Sequence, residues 1–174
     1  AAGAIGNQHL FLRSKVVTGM TDAVRILPPM PGRSKEVEPI LRALPEWFGM
    51  EDSLVEYVDT AKTMPTMLAM DGDQPVGFLM IKRHFPESAE VHCIGLLPSH
   101  HRRGIGRRMQ EACEAHLRDD GATYLQVKTI DPAKQDAAYL KTVEFYRSMG
   151  FAPLEVFPEL WDPWNPCLTL VKSL

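Results

Sequence analysis

Apolar positions along this chain recur either every second residue or every third to fourth, and the switches between the two periods divide it into strands and helices. Alternating or continuously apolar runs predict strands at residues 23–27, 66–70, 75–82, 90–97, 124–129, 151–157 and 167–171. Asp71-Gly72-Asp73-Gln74, between the second and third of these, has tight-turn composition and predicts a hairpin. Helical spacing puts Val37, Ile40, Leu41 and Leu44 on one face of a helix over 34–44, after a Pro-Gly-rich turn at 28–32 and before Pro45, which ends it. A second helix is predicted near Ser53, whose pairing with Glu56 has the form of a capping box, with Leu54, Tyr57, Val58 and Ala61 as its apolar stripe. Ile105, Met109, Ala112, Cys113, His116 and Leu117 define a helix over 105–118 stopped by Asp120-Gly121. A last helix covers 137–149, with Gly150 just past its end. The order β-α-α-β-β-β-α-β-α-β-β mixes antiparallel neighbours with parallel crossovers and predicts an α+β fold with a single central mixed sheet flanked by helices.

A chain of 174 residues with 45% hydrophobic and 24% charged positions suits one domain, over 23–174. Residues 1–22 carry no clear period and are read as a leader or N-terminal extension, with Met20 as a candidate start. No apolar run approaches the ~20 residues of a membrane span, and the basic, apolar and small-residue regions of a signal peptide are missing from the N-terminus. A cytoplasmic protein without a membrane partner is therefore expected. Cys93, Cys113 and Cys167 are odd in number and widely spaced, against both a disulfide framework and a zinc ribbon. His92 with Cys93, and His100 with His101, lack a third ligand at suitable spacing, so no metal is expected. A net charge of −3 gives no general attraction to nucleic acid, and none is expected as a partner.

Against that mildly acidic background, Arg102, Arg103, Arg107 and Arg108 form a local cluster around His101-Arg102-Arg103-Gly104-Ile105-Gly106. The run lies between a strand and a helix. Its glycines allow close backbone approach, and the following helix start offers unpaired N–H groups and the positive end of its dipole, a cradle suited to phosphate. A P-loop is excluded because Gly-Lys-Ser/Thr is missing, and a dinucleotide fingerprint because Met109 stands where its third glycine would be.

Together with Phe145-Tyr146-Arg147-Ser148-Met149-Gly150-Phe151 downstream, this cradle resembles the GNAT superfamily of acetyl-CoA-dependent N-acetyltransferases. The resemblance covers roughly residues 24–171. It implies a single GNAT-like domain that binds acetyl-CoA and an amine acceptor, as a monomer or homodimer. In the signature Gln/Arg-x-x-Gly-x-Gly/Ala, His101 takes the first position, and the resemblance makes His101, Arg102, Arg103, Gly104, Ile105, Gly106 and Arg107 the residues that hold the coenzyme pyrophosphate. It implies that the strands at 90–97 and 124–129 splay around the pantetheine arm, with the main chain of Ile94, Gly95 and Leu96 in contact with it. Gly95 also suits a bulge. Tyr139 stands where many members carry asparagine and is kept in the coenzyme-binding set.

The same resemblance implies Tyr146 as the acid that protonates the departing thiolate and Glu90, eleven residues before His101, as the base that takes a proton from the amine. The plainer alternatives are a core aromatic with a hydrogen-bonded tip for Tyr146 and a solvated strand-end carboxylate for Glu90. Rival functions are a ping-pong route through Cys93, for which no activating histidine is evident, and a non-catalytic acyl-CoA sensor. Glu46, Glu51, Asp52, Glu56 and Asp59, interleaved with Trp47, Phe48 and Tyr57, suggest either an acidic aromatic rim for a cationic amine or a solvated helix face. Trp161, Asp162, Trp164 and Asn165 are expected in a loop that shapes the acceptor site, a dimer contact or a lid.

Overall fold

A computed structural model describes residues 23–134 and 136–174. The expected leader at 1–22 lies outside the described residues. The elements run β1 (Arg25–Met30), α1 (Ser34–Arg42), α2 (Pro45–Phe48), α3 (Glu51–Thr60), β2 (Thr66–Asp71), β3 (Gln74–Phe85), β4 (Ser88–Leu96), α4 (Ile105–Asp119), β5 (Tyr124–Ile130), α5 (Ala137–Ser148), β6 (Ala152–Asp162) and β7 (Asn165–Ser173). Seven strands form one sheet in the order β1-β2-β3-β4-β5-β7-β6. Only the β4–β5 pair is parallel, so the expected mixed sheet with flanking helices is what the chain builds.

The sheet separates two apolar layers. Ile105, Met109, Cys113 and Leu117 of α4 and Val143 and Tyr146 of α5 pack on one face, while Val37, Ile40 and Leu41 of α1 and Leu54 of α3 pack on the other. The stripes recognised by their spacing are thus the faces that enter the core.

Local departures from the expected boundaries have local causes. The first strand runs on through Pro28 and Pro29, read above as a turn, because β1 is an edge strand that tolerates missing N–H donors; its register skips between Leu27 and Met30. Pro45 opens the extra one-turn helix α2, where the absent N–H costs nothing, as well as following the end of α1. The expected capping box does not form: α3 starts at Glu51 after Met50, which leaves Ser53 inside the first turn. Trp161 and Asn165 belong to a long β6–β7 hairpin in place of the expected loop, with Asp162 paired to Asn165 at its tip.

Strand β4 carries the feature that shapes the site. Met80 of β3 pairs with Cys93 and Ile81 with Val91, so His92 is an extra residue without a register partner, a β-bulge. The bulge reverses which side chains face which layer. Ala89 and Val91 belong to the layer under α4 and α5, but beyond the bulge Ile94 and Leu96 pack there, while Cys93 joins the layer under α1 and α3. Gly95, expected at a bulge, is instead in regular pairing with Phe78. Its lack of a side chain makes room for that ring, since a Cβ there would sit 2.6 Å from Phe78 Cε1 and 3.3 Å from Leu44 Cδ1. Gly95→Ala is expected to cost about 1–3 kcal/mol through overpacking. Urea denaturation checks this, and an unchanged midpoint would show that the ring can move aside.

Candidate active site

The parallel pairing of β4 with β5 runs from Ser88↔Tyr124 to Val91↔Val127 and stops there, although both strands continue, to Leu96 and Ile130. From the bulge onward the two strands diverge. This opens a cleft of about 1450 Å³ between them. Main-chain groups on the β5-facing edge of β4 are left to pair with something else, and Ile94, Gly95 and Leu96 line the opening.

At one end of the cleft lies the loop that leads into α4. Arg102 has φ 60° and Gly104 φ 73°, both left-handed, and together they curl the main chain before Ile105 begins the helix. No side chain caps that helix start, so the N–H groups of its first turn point outward unpaired. His101, Arg102, Gly104, Ile105, Gly106 and Arg107 all line the cleft here. His101 Nε2 donates to the Leu96 carbonyl oxygen at 2.7 Å, which ties the loop to the end of β4. Arg103 is not among these lining residues, and its guanidinium lies 4.0 Å from Asp71. Arg108 also points elsewhere and donates to the Val24 carbonyl.

Two supports of this loop carry no local signal in the sequence. His100 Nε2 lies 2.9 Å from Asp71 Oδ2 in the β2–β3 turn, and Ser99 Oγ lies 2.9 Å from His100 Nδ1. Trp47 of α2 donates from Nε1 to Thr142 Oγ1 of α5 at 3.2 Å and packs edge-on to the His101 ring. Tyr139 donates its hydroxyl to the Trp47 carbonyl at 3.1 Å while lining the cleft, so it joins α5 to α2 beside the opening.

Tyr146 lies deeper. It is 1% exposed, flanked edge-on by Phe145 and Phe151, and it lines the cleft between the parted strands. Burial pushes its phenol well up, so it keeps its proton at neutral pH. Burial likewise pushes the Cys93 thiol up, far from the thiolate that a nucleophile requires.

Glu90 also lines the cleft, 4% exposed. Its Oε2 accepts from Lys128 Nζ at 2.6 Å and Gln126 Nε2 at 3.0 Å, and lies 2.7 Å from His84 Nε2. Oε1 is 3.8 Å from His92 Nδ1, within ion-pair range. Burial works against the charge, but His92, Lys128 and His84 outweigh it and hold the carboxyl well below the usual carboxylate range. A carboxylate so held is a weak proton acceptor, which weighs against the expected base role. Its stability contribution is full above the ordinary value of 4.5 and is lost as pH falls from there toward the depressed folded value. Glu90→Gln is therefore expected to flatten the decline of Tm with acid below about pH 5. Thermal melts across that range check it, and an undiminished decline would mean that these contacts contribute no net stability.

The rim is less acidic than the sequence suggested. Glu46 and Glu56 line the cleft, but Glu51 pairs with Arg42 at 3.1 Å and Asp59 with Lys62 at 2.5 Å on the surface. Lys82, Lys128 and Lys141 face the cleft as well, and Trp161, Asp162 and Asn165 approach it from the β6–β7 hairpin. Among the described residues no group of three or more His, Cys, Asp or Glu side chains is arranged to hold a metal ion. Nor is any helix among them long and apolar enough to cross a membrane.

Residues 35–151 match the model of the acetyltransferase (GNAT) family. Mycothiol acetyltransferase of Corynebacterium glutamicum is 28% identical over 109 residues, which is 63% of this chain and 35% of that protein's length. Among solved structures, a GNAT family acetyltransferase from Elizabethkingia anophelis with acetyl-CoA bound superposes with a TM-score of 0.64 at 14% identity, covering 88% of this chain and 99% of that one. An aminoglycoside 6'-N-acetyltransferase complexed with coenzyme A gives a TM-score of 0.63 at 20% identity, covering 83% and 92%.

Proposed function

The chain belongs to the GNAT acetyltransferase family, and on that premise we propose that it transfers an acetyl group from acetyl-CoA to a primary amine, by direct attack of the amine on the thioester in a ternary complex. The observation that carries this reading is the parting of β4 and β5 after Val91 and Val127, next to the uncapped start of α4. A diphosphate fits the curled loop from His101 to Arg107, where main-chain N–H groups and the helix dipole offset its charge and Arg102 and Arg107 add to them. An extended arm fits along the free edge of β4, where Ile94 to Leu96 supply the missing strand pairing.

Fixing both reactants replaces a bimolecular encounter by an oriented one. A main-chain N–H of the bulged segment, aimed at the carbonyl oxygen, stabilises the negative charge that grows there as the amine attacks. The C–N bond forms, the C–S bond breaks, and Tyr146 donates a hydrogen bond to the departing sulfur. Burial keeps the proton on Tyr146 in the resting site, so its hydroxyl is present there as a hydrogen-bond donor. A relay through Cys93 is disfavoured by the burial that holds its thiol protonated.

The acceptor end, with Glu56, Tyr57, Trp161 and Asp162 among its lining residues, suits an amine that brings positive charge on a small molecule or peptide. Aminoglycosides, spermidine and lysine-terminated peptides form the test panel. Calorimetry should give saturable binding of acetyl-CoA, and coenzyme A release should accelerate with at least one panel amine. Binding without release toward any of them would favour the sensor reading, and no binding would overturn the whole.

A further inference from the structure

We propose that His92, not Glu90, accepts the proton from the incoming amine, and that Glu90 is a positioning residue which orients the imidazole. The inference rests on the acetyl-transfer reading above. An amine near neutral pH arrives mainly as an ammonium ion, so the site needs an acceptor with a free lone pair beside the thioester. Glu90 is poorly suited to this, because one of its oxygens already takes Lys128, Gln126 and His84 and its charge is stabilised where it stands.

His92 has what Glu90 lacks. It is the extra residue of the β4 bulge, at the point where β4 and β5 part, and its side chain is 25% exposed and lines the cleft. Bulges re-aim a side chain that regular pairing would fix. Its Nδ1 lies 3.8 Å from Glu90 Oε1, longer than a hydrogen bond but close enough for the carboxylate's charge to favour a proton on that nitrogen, which leaves the lone pair on Nε2. Tyr57 of α3 packs edge-on to the ring with centroids 5.7 Å apart and holds its plane. Tyr57 of α3 and Glu90 of β4 face it directly, Lys128 of β5 and His84 of β3 hold Glu90, and Glu56 of α3, Lys82 of β3 and Cys93 of β4 line the same cleft.

The proton balance closes. The ammonium gives one proton to His92 Nε2 and the freed amine attacks the thioester carbon. As the C–S bond breaks, the nitrogen's surplus proton passes by way of Tyr146 to the sulfur. The imidazolium then releases its proton to water, leaving amide, coenzyme A thiol and one proton.

Two acceptors separate the possibilities: the most active alkylamine of the panel above, which is an ammonium at neutral pH, and hydroxylamine, which is already unprotonated there. His92→Gln is expected to lower kcat with the alkylamine at pH 7 about 100-fold, to recover toward wild type as pH rises past 9, and to change hydroxylamine turnover and acetyl-CoA affinity little. Glu90→Gln is expected to lose about tenfold in kcat and to keep the acid limb of the pH–rate profile, as befits a group that only orients the base. If that limb vanishes in Glu90→Gln and persists in His92→Gln, Glu90 is the base and the proposal falls. Equal losses on both acceptors in His92→Gln, or no loss on either, would also overturn it. Wild-type protein that binds acetyl-CoA but acetylates neither acceptor would instead defeat the transfer reading on which the proposal rests.

Discussion

Gly106→Asp is expected to weaken acetyl-CoA binding about 100-fold or more while leaving the fold intact. A carboxylate in the first turn of α4 takes up the unpaired N–H groups that a diphosphate would use and adds a like charge beside it. A loss of about 3 kcal/mol, two charge-assisted hydrogen bonds, is a factor of roughly 100 in Kd. Folding should be spared for two reasons. A Cβ at this position meets only the Phe145 ring, Cε2 at 3.7 Å and Cζ at 3.8 Å, both ordinary contacts, and aspartate in a helix's first turn is favourable. Calorimetric titration paired with a thermal melt reads both effects. A variant that binds as well as wild type would remove the phosphate role of this loop, and one that unfolds would make the glycine structural.

Tyr146→Phe is expected to reduce kcat about 100-fold with little change in acetyl-CoA affinity, since the hydrogen bond it removes forms only as charge reaches the sulfur. The ring is enclosed between Phe145 and Phe151, and Phe preserves that packing, so lost turnover would not reflect a collapsed core. Steady-state kinetics with direct binding measurements separate the two quantities. Parallel losses in kcat and affinity, or none, would return Tyr146 to the role of a core aromatic.

The features legible in the sequence are those that neighbouring residues determine together. The cradle at 101–107 combines glycines and a helix start within seven consecutive positions, a few residues after a strand end, and the helix stripes at Val37, Ile40 and Leu41 or Met109, Cys113 and Leu117 follow from helical period alone. Arg103 could not be separated from Arg102 in this way, because its direction depends on Asp71 in a distant turn. Glu90 was visible as a carboxylate at a suggestive spacing. What weakens its basicity, beyond His92 two residues along, comes from Lys128 on β5 and His84 on β3, which only the sheet brings beside it. His92 shows why period-two counting fails at such a site: one extra residue reverses the faces of β4, and alternation read across the bulge assigns side chains on one side of it to the wrong layer.

The sequence by itself determined the order of the strands and main helices, the apolar face of each main helix and the glycine-bearing loop before α4, because each depends on side-chain period or backbone freedom over a few residues. Tertiary structure decided where β4 and β5 separate, which arginines line the cleft and which polar groups gather around Glu90. Those outcomes depend on register and burial, and both arise only when strands distant in the chain pair and exclude water.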